Sequence, residues 1–167
     1  MRYGAVVHDR FDHIPSRRAI IDRRALAEAL AALPRDDATR LRKAATPLLK
    51  AALDSGRREI ARRLAERPSQ GLEAAAAQAY LMDELLAALA DFATGRLYPL
   101  SNPTAAERLT LLAVGGYGRG EMAGHSDIDI GFLTPMKQPP WAEQVIESML
   151  YTLWDLCLLY TSPSPRD

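Results

Sequence analysis

Apolar residues recur three and four positions apart through most of the first hundred residues of this 167-residue chain. Leu26, Leu30 and Leu33 form one such stripe, which predicts a first helix over residues 16–33 that ends before a proline. Residues 1–15 show no clear period and are expected to form a loop or a short extended segment.

Three further helices are predicted before residue 103. Asp36 or Asp37 is a candidate N-cap for a second helix that runs toward residue 54, with Pro47 as a break or a new first turn. Ser55-Gly56 is expected to end it, and a third helix covers residues 57–66. A fourth covers residues 69–94 and carries a core stripe of four apolar residues: Leu81, Leu85, Leu89 and Phe92.

The period changes in the second part of the chain. The apolar run at 109–114 lies next to glycines and predicts a buried strand, and the glycine-rich stretch at 115–121 predicts a loop. Acidic and apolar residues then alternate over 127–133, which predicts a strand with two different faces. The pattern favours an α+β fold, with a helical region over 1–103 and a strand–loop–strand–helix unit over 104–156.

Composition narrows the class of protein. The 21 basic and 21 acidic side chains cancel, so net charge gives no attraction to nucleic acid or to a membrane surface. The single cysteine, Cys157, excludes a disulfide framework, and no apolar run approaches the roughly 20 residues that cross a bilayer. The first residues lack the apolar core of a secretory signal, so we expect a cytoplasmic location.

Charge is nevertheless uneven along the chain. Residues 16–67 have a net charge of +7 and residues 68–167 a net charge of −7. Arginine pairs at 17–18, 23–24, 57–58 and 62–63 are candidate phosphate ligands. Helix faces of mixed charge with partners four residues apart explain the same pairs more simply, and we favour that explanation.

Two acidic residues in the second predicted strand are the strongest candidates for chemistry. Asp127 and Asp129 are two residues apart, so on a strand they share a face with about 6–7 Å between their Cα atoms. Ile128 and Ile130 would face the core. Two carboxylates this close favour a bound cation, and Mg²⁺ prefers carboxylate and phosphate oxygens. The alternative is a solvated strand face with salt bridges.

The glycine-rich stretch before this strand predicts a phosphate-binding element. Gly115, Gly116 and Gly118 let the backbone approach phosphate oxygens closely, and Arg119 and Ser126 add side-chain donors. The stretch lacks the Lys-Ser/Thr of a P-loop and the third glycine of a dinucleotide fingerprint. Together with the two acids it indicates nucleotidyl transfer, with Asp127 and Asp129 as catalytic metal ligands.

Several neighbouring residues have two explanations. Arg119 binds phosphate or forms a clamp with Glu121, and Tyr117 stacks on a base or packs the loop against the core. His125 fits a polar turn better than a metal site, and Trp154 is expected in the core of the last helix.

The order apolar-Gly-Gly, ten residues, Asp-apolar-Asp-apolar resembles the signature of the polymerase-β-like nucleotidyltransferase superfamily. The longer string VGGYGRGE … HSDIDI over 114–130 resembles the bacterial PII uridylyltransferase/uridylyl-removing enzymes, and residues 137–145 and 149–156 support that likeness. Gly124 and Gly131 depart from the pattern, which usually has a proline and an aliphatic residue there.

The resemblance implies an enzyme that transfers UMP from UTP to a tyrosine hydroxyl of the PII nitrogen-signalling protein. Asp127 and Asp129 would then carry Mg²⁺, and Gly115, Gly116 and Ser126 would hold the triphosphate. The family also removes the uridylyl group with a metal-dependent hydrolase domain and senses glutamine through C-terminal ACT domains. No segment of these 167 residues matches those parts.

The end of the chain departs from the family. Residues 157–167 resemble a translated sequencing adapter rather than a protein segment, and their Ser-Pro-Ser-Pro sequence disfavours regular structure. We therefore expect an N-terminal fragment with the truncated start of a nucleotidyltransferase domain. The superfamily's third carboxylate comes from a later strand, so little or no transferase activity is expected. The alternatives are another branch, such as an adenylyltransferase, or a non-catalytic nucleotide-binding or docking module.

Overall fold

The computed structural model describes residues 8–102, 104–135, 139–156 and 160–161. Among these described residues, helices dominate the first part and strands occur only in the second, which confirms the α+β class. The helices are α1 Arg17–Ile20, α2 Arg23–Ala31, α3 Ala38–Glu66, α4 Gly71–Phe92, α5 Gly115–Arg119 and α6 Pro140–Asp155. The strands are β1 Thr110–Ala113, β2 Ile128–Leu133 and β3 Tyr160–Thr161. Shorter turns are the 3₁₀ helices His8–Phe11 and Ala105–Glu107 and the π-helical turn Ala93–Leu97.

The first predicted helix is two helices, so the prediction of one helix over 16–33 is wrong. The chain is extended at Ile21, and Asp22 caps α2 by accepting a hydrogen bond from the Ala25 amide at 3.1 Å. The break leaves both Ile20 and Ile21 buried, although they are consecutive. An internal cap therefore outweighs the continuous apolar stripe.

The second and third predicted helices form one helix, α3, capped by Asp37. Pro47 lies inside it without ending it. Gly56 does not end it either, because this glycine serves close packing. A Cβ atom at Gly56 would lie 2.8 Å from the Ile20 carbonyl oxygen and 2.5 Å from a Leu81 methyl carbon. The missing side chain lets α3 approach α1 and α4.

Helix α4 forms the centre of the core. The predicted stripe is confirmed, since all four of its residues are buried: Leu81, Leu85, Leu89 and Phe92. The helix packs against α2 and α3 and buries side chains on most of its circumference. Within the part of the chain that the structure describes, no helix combines the length and apolarity needed to cross a membrane.

Acidic residues three or four positions away pair with several of the arginines, as the mixed-charge explanation predicts. Arg18 pairs with Asp22, and Arg24 pairs with Glu28. Arg62 lies 2.9 Å from a Glu59 oxygen and also pairs with Glu66. These arginines are engaged in surface ion pairs three or four residues apart, which contribute little to stability individually.

Strands β1 and β2 are antiparallel, with Ala113 opposite Ile130 and Leu111 opposite Phe132. These residues lie on the inner face of the sheet. The prediction of a fully buried first strand is wrong. Leu112 is 36% exposed because it lies on the outer face, which the described residues leave open.

Two predictions for the end of the chain are also corrected. Strand β3, Tyr160–Thr161, pairs in parallel with the start of β2, so regular structure enters the predicted tail at these two residues. The tail's other residues, 157–159 and 162–167, lie outside the described residues. Trp154 is 70% exposed, because α6 instead turns Val145, Met149 and Leu153 inward.

We expect Gly56→Ala to lower the free energy of unfolding by about 1–3 kcal/mol, because a methyl group there overlaps a backbone oxygen and a packed leucine. The matched control is Gly71→Ala in α4, where a Cβ atom meets nothing within 4 Å. It should be neutral or stabilising by up to about 1 kcal/mol. Urea unfolding measures both, and equal stabilities for the two variants would contradict the packing role of Gly56.

Candidate functional site

The predicted glycine-rich loop contains a single helical turn, α5. We call residues 115–120 the glycine turn. Strand β1 continues through Val114 into α5, whose first residue, Gly115, has φ of +59°. Gly120, with φ of +76°, ends the turn. A Cβ atom at Gly118 would lie 2.7 Å from the Ala113 carbonyl oxygen. Glycine is therefore needed at both ends, for the left-handed backbone, and in the middle, for close approach to β1.

The two acids lie on the outer side of β2. Asp127 immediately precedes the strand and is exposed, and Asp129 lies within it and is half-buried. Ile128 and Ile130 are buried on the opposite side. The structure thus shows the alternation of acidic and apolar positions on which the prediction of an acid pair depends.

Asp129 packs directly against the first residue of the glycine turn. A side chain at Gly115 would overlap a carboxylate oxygen of Asp129, and the carboxylate carbon would lie 3.2 Å from the added Cβ atom. The Val114 amide also donates to the Asp129 carbonyl oxygen at 3.0 Å. The strand that carries the acids and the turn that carries the glycines therefore form one unit.

The donor atoms at this unit fit a divalent magnesium ion. Both acids offer carboxylate oxygens, the ligands that Mg²⁺ prefers, on the solvent-facing side of the strand. Among the residues that the structure describes, no group of three or more His, Cys, Asp or Glu side chains comes together. Magnesium often retains waters and uses only one or two protein carboxylates beside substrate phosphates, so two acids are a suitable set.

The remaining predicted ligands lie around the turn with partners of their own. Arg119 pairs with Glu121 at 3.1 Å, the clamp considered above, and both side chains are well exposed. The Ser126 hydroxyl donates to the Ala123 carbonyl oxygen at 2.7 Å. The Gly118 amide donates to the Val114 carbonyl oxygen at 2.7 Å, so it is used within the turn.

Two remaining positions lie in turns. Gly116 sits inside α5, where its carbonyl oxygen accepts a hydrogen bond from the Glu121 amide at 2.9 Å. His125 is exposed in the turn that precedes the acid pair. The nucleotide-binding roles of the glycines, Arg119 and Ser126 remain predictions.

The structure adds two residues that the sequence analysis did not find, Asp83 and Arg10, and both bond to the turn. Tyr117 is only 4% exposed, and its hydroxyl donates to Asp83 at 2.7 Å. Arg10 donates to the Asp83 carboxylate at 2.9 Å and to the Gly118 carbonyl oxygen at 2.6 Å. Tyr117 therefore packs the turn against the core. The one signal in the sequence was the acidic Asp83-Glu84 within an otherwise apolar stretch of α4.

Burial, together with the negative charge of Asp83, raises the pKa of Tyr117 well above its ordinary value.

The helical region also contacts the segment around the turn at two further points. The ring of Phe11 lies under Gly120, where an added Cβ atom would be 3.4 Å from a ring carbon. The Met122 amide, just after the turn, donates a hydrogen bond to the Ala75 carbonyl oxygen of α4 at 3.4 Å.

Residues 56–156 match the family described as "Putative nucleotidyltransferase DUF294". The chain belongs to this nucleotidyltransferase family. The matched segment begins inside α3 and includes α4, the glycine turn and both acids. The family region therefore joins part of the helical region to the strands.

Individual relatives carry a more specific name. The chain is 54% identical over 145 residues to a "Bifunctional uridylyltransferase/uridylyl-removing enzyme" of Novosphingobium aromaticivorans, covering 87% of this chain and 16% of the relative. Proteins of the same name from Erythrobacter litoralis and Rhodospirillum rubrum are each 49% identical, over 86% and 84% of this chain and 16% and 15% of the relatives. The chain thus spans about a sixth of their length. No solved structure matches it.

The raised pKa of Tyr117 predicts a loss of stability in alkali. The folded protein favours the protonated phenol, so stability is fully present below the ordinary tyrosine pKa and falls as pH rises from about 10 toward the folded pKa. The limiting slope for one group is about 1.4 kcal/mol per pH unit. Urea unfolding at several pH values measures the slope.

Tyr117→Phe should flatten this alkaline decline, since it removes the titrating group and keeps the ring. A residual decline is expected from Tyr80, whose pKa burial also raises. At neutral pH the variant should lose about 1–2 kcal/mol because Asp83 loses a donor. A decline as steep as in the parent chain would contradict the account of Tyr117.

Proposed function

We propose that this chain is part of a uridylyltransferase and that the glycine turn and the acid pair bind Mg²⁺–UTP. The observation that carries the proposal is the packing of the Asp129 carboxylate against Gly115. This packing supports the proposal because a carboxylate, a group that Mg²⁺ prefers, lies beside the segment through which a triphosphate would approach. Membership of a nucleotidyltransferase family and the names of the relatives support the same chemistry.

Asp127 and Asp129 are the residues that would hold Mg²⁺. When bound, the ion neutralises phosphate charge and helps the pyrophosphate leave. The chain's own part is to bind and orient. Gly115 and Gly116 leave room for phosphate oxygens at the backbone, and Arg119 can exchange its exposed partner Glu121 for a phosphate.

The proposed reaction is a transfer of UMP. A tyrosine hydroxyl of a PII protein attacks the α-phosphorus of UTP, a new oxygen–phosphorus bond forms, the bond to pyrophosphate breaks, and the hydroxyl proton is released to solvent. The choice of uridine is supported by the names of the relatives. The choice of PII as acceptor is supported by the motif resemblance described above. A nucleoside triphosphate donor also suits a cytoplasmic location.

Isothermal titration of the chain with Mg²⁺–UTP tests the nucleotide site. We expect Asp127→Asn and Asp129→Asn each to weaken binding by about tenfold or more, because each removes a charged oxygen ligand. Asp91→Asn is the matched control, since Asp91 lies in α4, away from the acid pair, and forms an ion pair with Arg23. It should bind as the parent does.

Two results would contradict the proposal. Binding that ignores both Asp127→Asn and Asp129→Asn would show that the acids do not hold the nucleotide and would favour a docking module. Tighter binding of Mg²⁺–ATP than of Mg²⁺–UTP would favour an adenylyltransferase.

A further inference from the structure

We infer that Asp83 and Arg10 are positioning residues that hold the glycine turn in place beside the acid pair. This inference rests on the proposed function, because the turn matters only if it receives the nucleotide. Neither residue belongs to the predicted site. Asp83 lies in α4 and Arg10 in the 3₁₀ turn His8–Phe11, so both come from the helical region.

One carboxylate joins the helical region to the turn through both of its oxygens. Asp83 Oδ1 accepts the Tyr117 hydroxyl at 2.7 Å, and Oδ2 accepts an Arg10 guanidinium nitrogen at 2.9 Å. The other terminal nitrogen of Arg10 donates to the Gly118 carbonyl oxygen at 2.6 Å. Two consecutive residues of α5, one through its side chain and one through its backbone, are thus bonded to the same ion pair. We call this ion pair the Arg10–Asp83 clamp.

The clamp acts on a turn that has a glycine at each end. Gly115 and Gly120 have left-handed backbones and no side chains to limit rotation. Within the turn, the Gly118 amide donates to the carbonyl oxygen of Val114, the residue that follows β1. The clamp holds the carbonyl side of the same residue, so Gly118 is fixed from both directions.

Burying the Asp83 carboxylate costs hydration free energy, which indicates that its hydrogen bonds matter to the structure. The Asp83 side chain is only 10% exposed, and most of the buried positions around it on α4 are apolar, although the adjacent Glu84 is also acidic. A carboxylate there loses hydration that only specific hydrogen bonds recover. Arg10 is also fixed by its position over the Phe11 ring, 4.5 Å from the ring centre, and Phe11 itself lies under Gly120.

Hydrogen exchange measures the holding of the turn directly. We expect Asp83→Asn to speed exchange about tenfold at the Gly118, Gly120 and Glu121 amides, which are hydrogen-bonded within the turn. Amides in α3 should exchange as before. Arg10→Lys is the second variant, because it keeps the charge of an exposed residue and loses the fork that reaches two acceptors. Asp91→Asn, on the same helix, should change neither segment.

Titration with Mg²⁺–UTP then connects the clamp to the site. Asp83→Asn and Arg10→Lys should each weaken binding about threefold to tenfold, although neither residue is placed against the nucleotide. Asp91→Asn should not weaken it. The double variant Asp83→Asn with Arg10→Lys should lose little more than Asp83→Asn alone, since both changes break one unit.

The possible outcomes distinguish a failure of the clamp from a failure of the proposed function. Unchanged turn exchange in both Asp83→Asn and Arg10→Lys would overturn the clamp. Faster turn exchange with unaltered UTP affinity would overturn its role in nucleotide binding. A parent chain that does not bind Mg²⁺–UTP would overturn the proposed function, and exchange alone would then decide whether the clamp holds the turn.

Discussion

The packing of the Asp129 carboxylate against the backbone of Gly115 is the contact on which the site depends. It requires a residue without a side chain at the first position of the turn, and Gly115 also has the left-handed backbone that glycine favours. The hydrogen bond from Val114 to the carbonyl of Asp129 fixes the strands in the register that produces the contact. Ile128 and Ile130 anchor the same strand in the core. Backbone conformation, strand register and burial thus all act to bring an acid to a glycine turn.

The helical region is part of this arrangement rather than a separate support. Helix α4 forms the centre of the core, and its residue Asp83 accepts the hydroxyl of Tyr117 from the turn. The family match begins inside α3, so it joins α4 and the strands in one segment. The boundary at residue 103, which separates the helices from the strands, stays a prediction. The turn lies between the end of β1 on one side and the helices on the other.

Residue spacing predicted the features that are set within a single helix or strand. The core stripe of α4 and the alternation around Ile128 follow from residue spacing, and both are present. The helix end predicted at Gly56 is wrong because this glycine serves tertiary packing, which sequence spacing does not show, and α3 also continues through Pro47. The break at Ile21 was missed because Asp22 forms an internal cap. The bond between Asp83 and Tyr117 joins residues 34 positions apart, and the acidic Asp83-Glu84 within an apolar stretch signals a buried charge without indicating its partner.

We propose that the glycine turn and the two acids form a single nucleotide site. A titration of the ¹⁵N-labelled chain with Mg²⁺–UTP, followed by amide chemical shifts, tests this. We expect the largest shifts to occur together at 115–120 and 127–129, with the same concentration dependence. Shifts confined to one of these segments, or centred on the helices far from the turn, would contradict it.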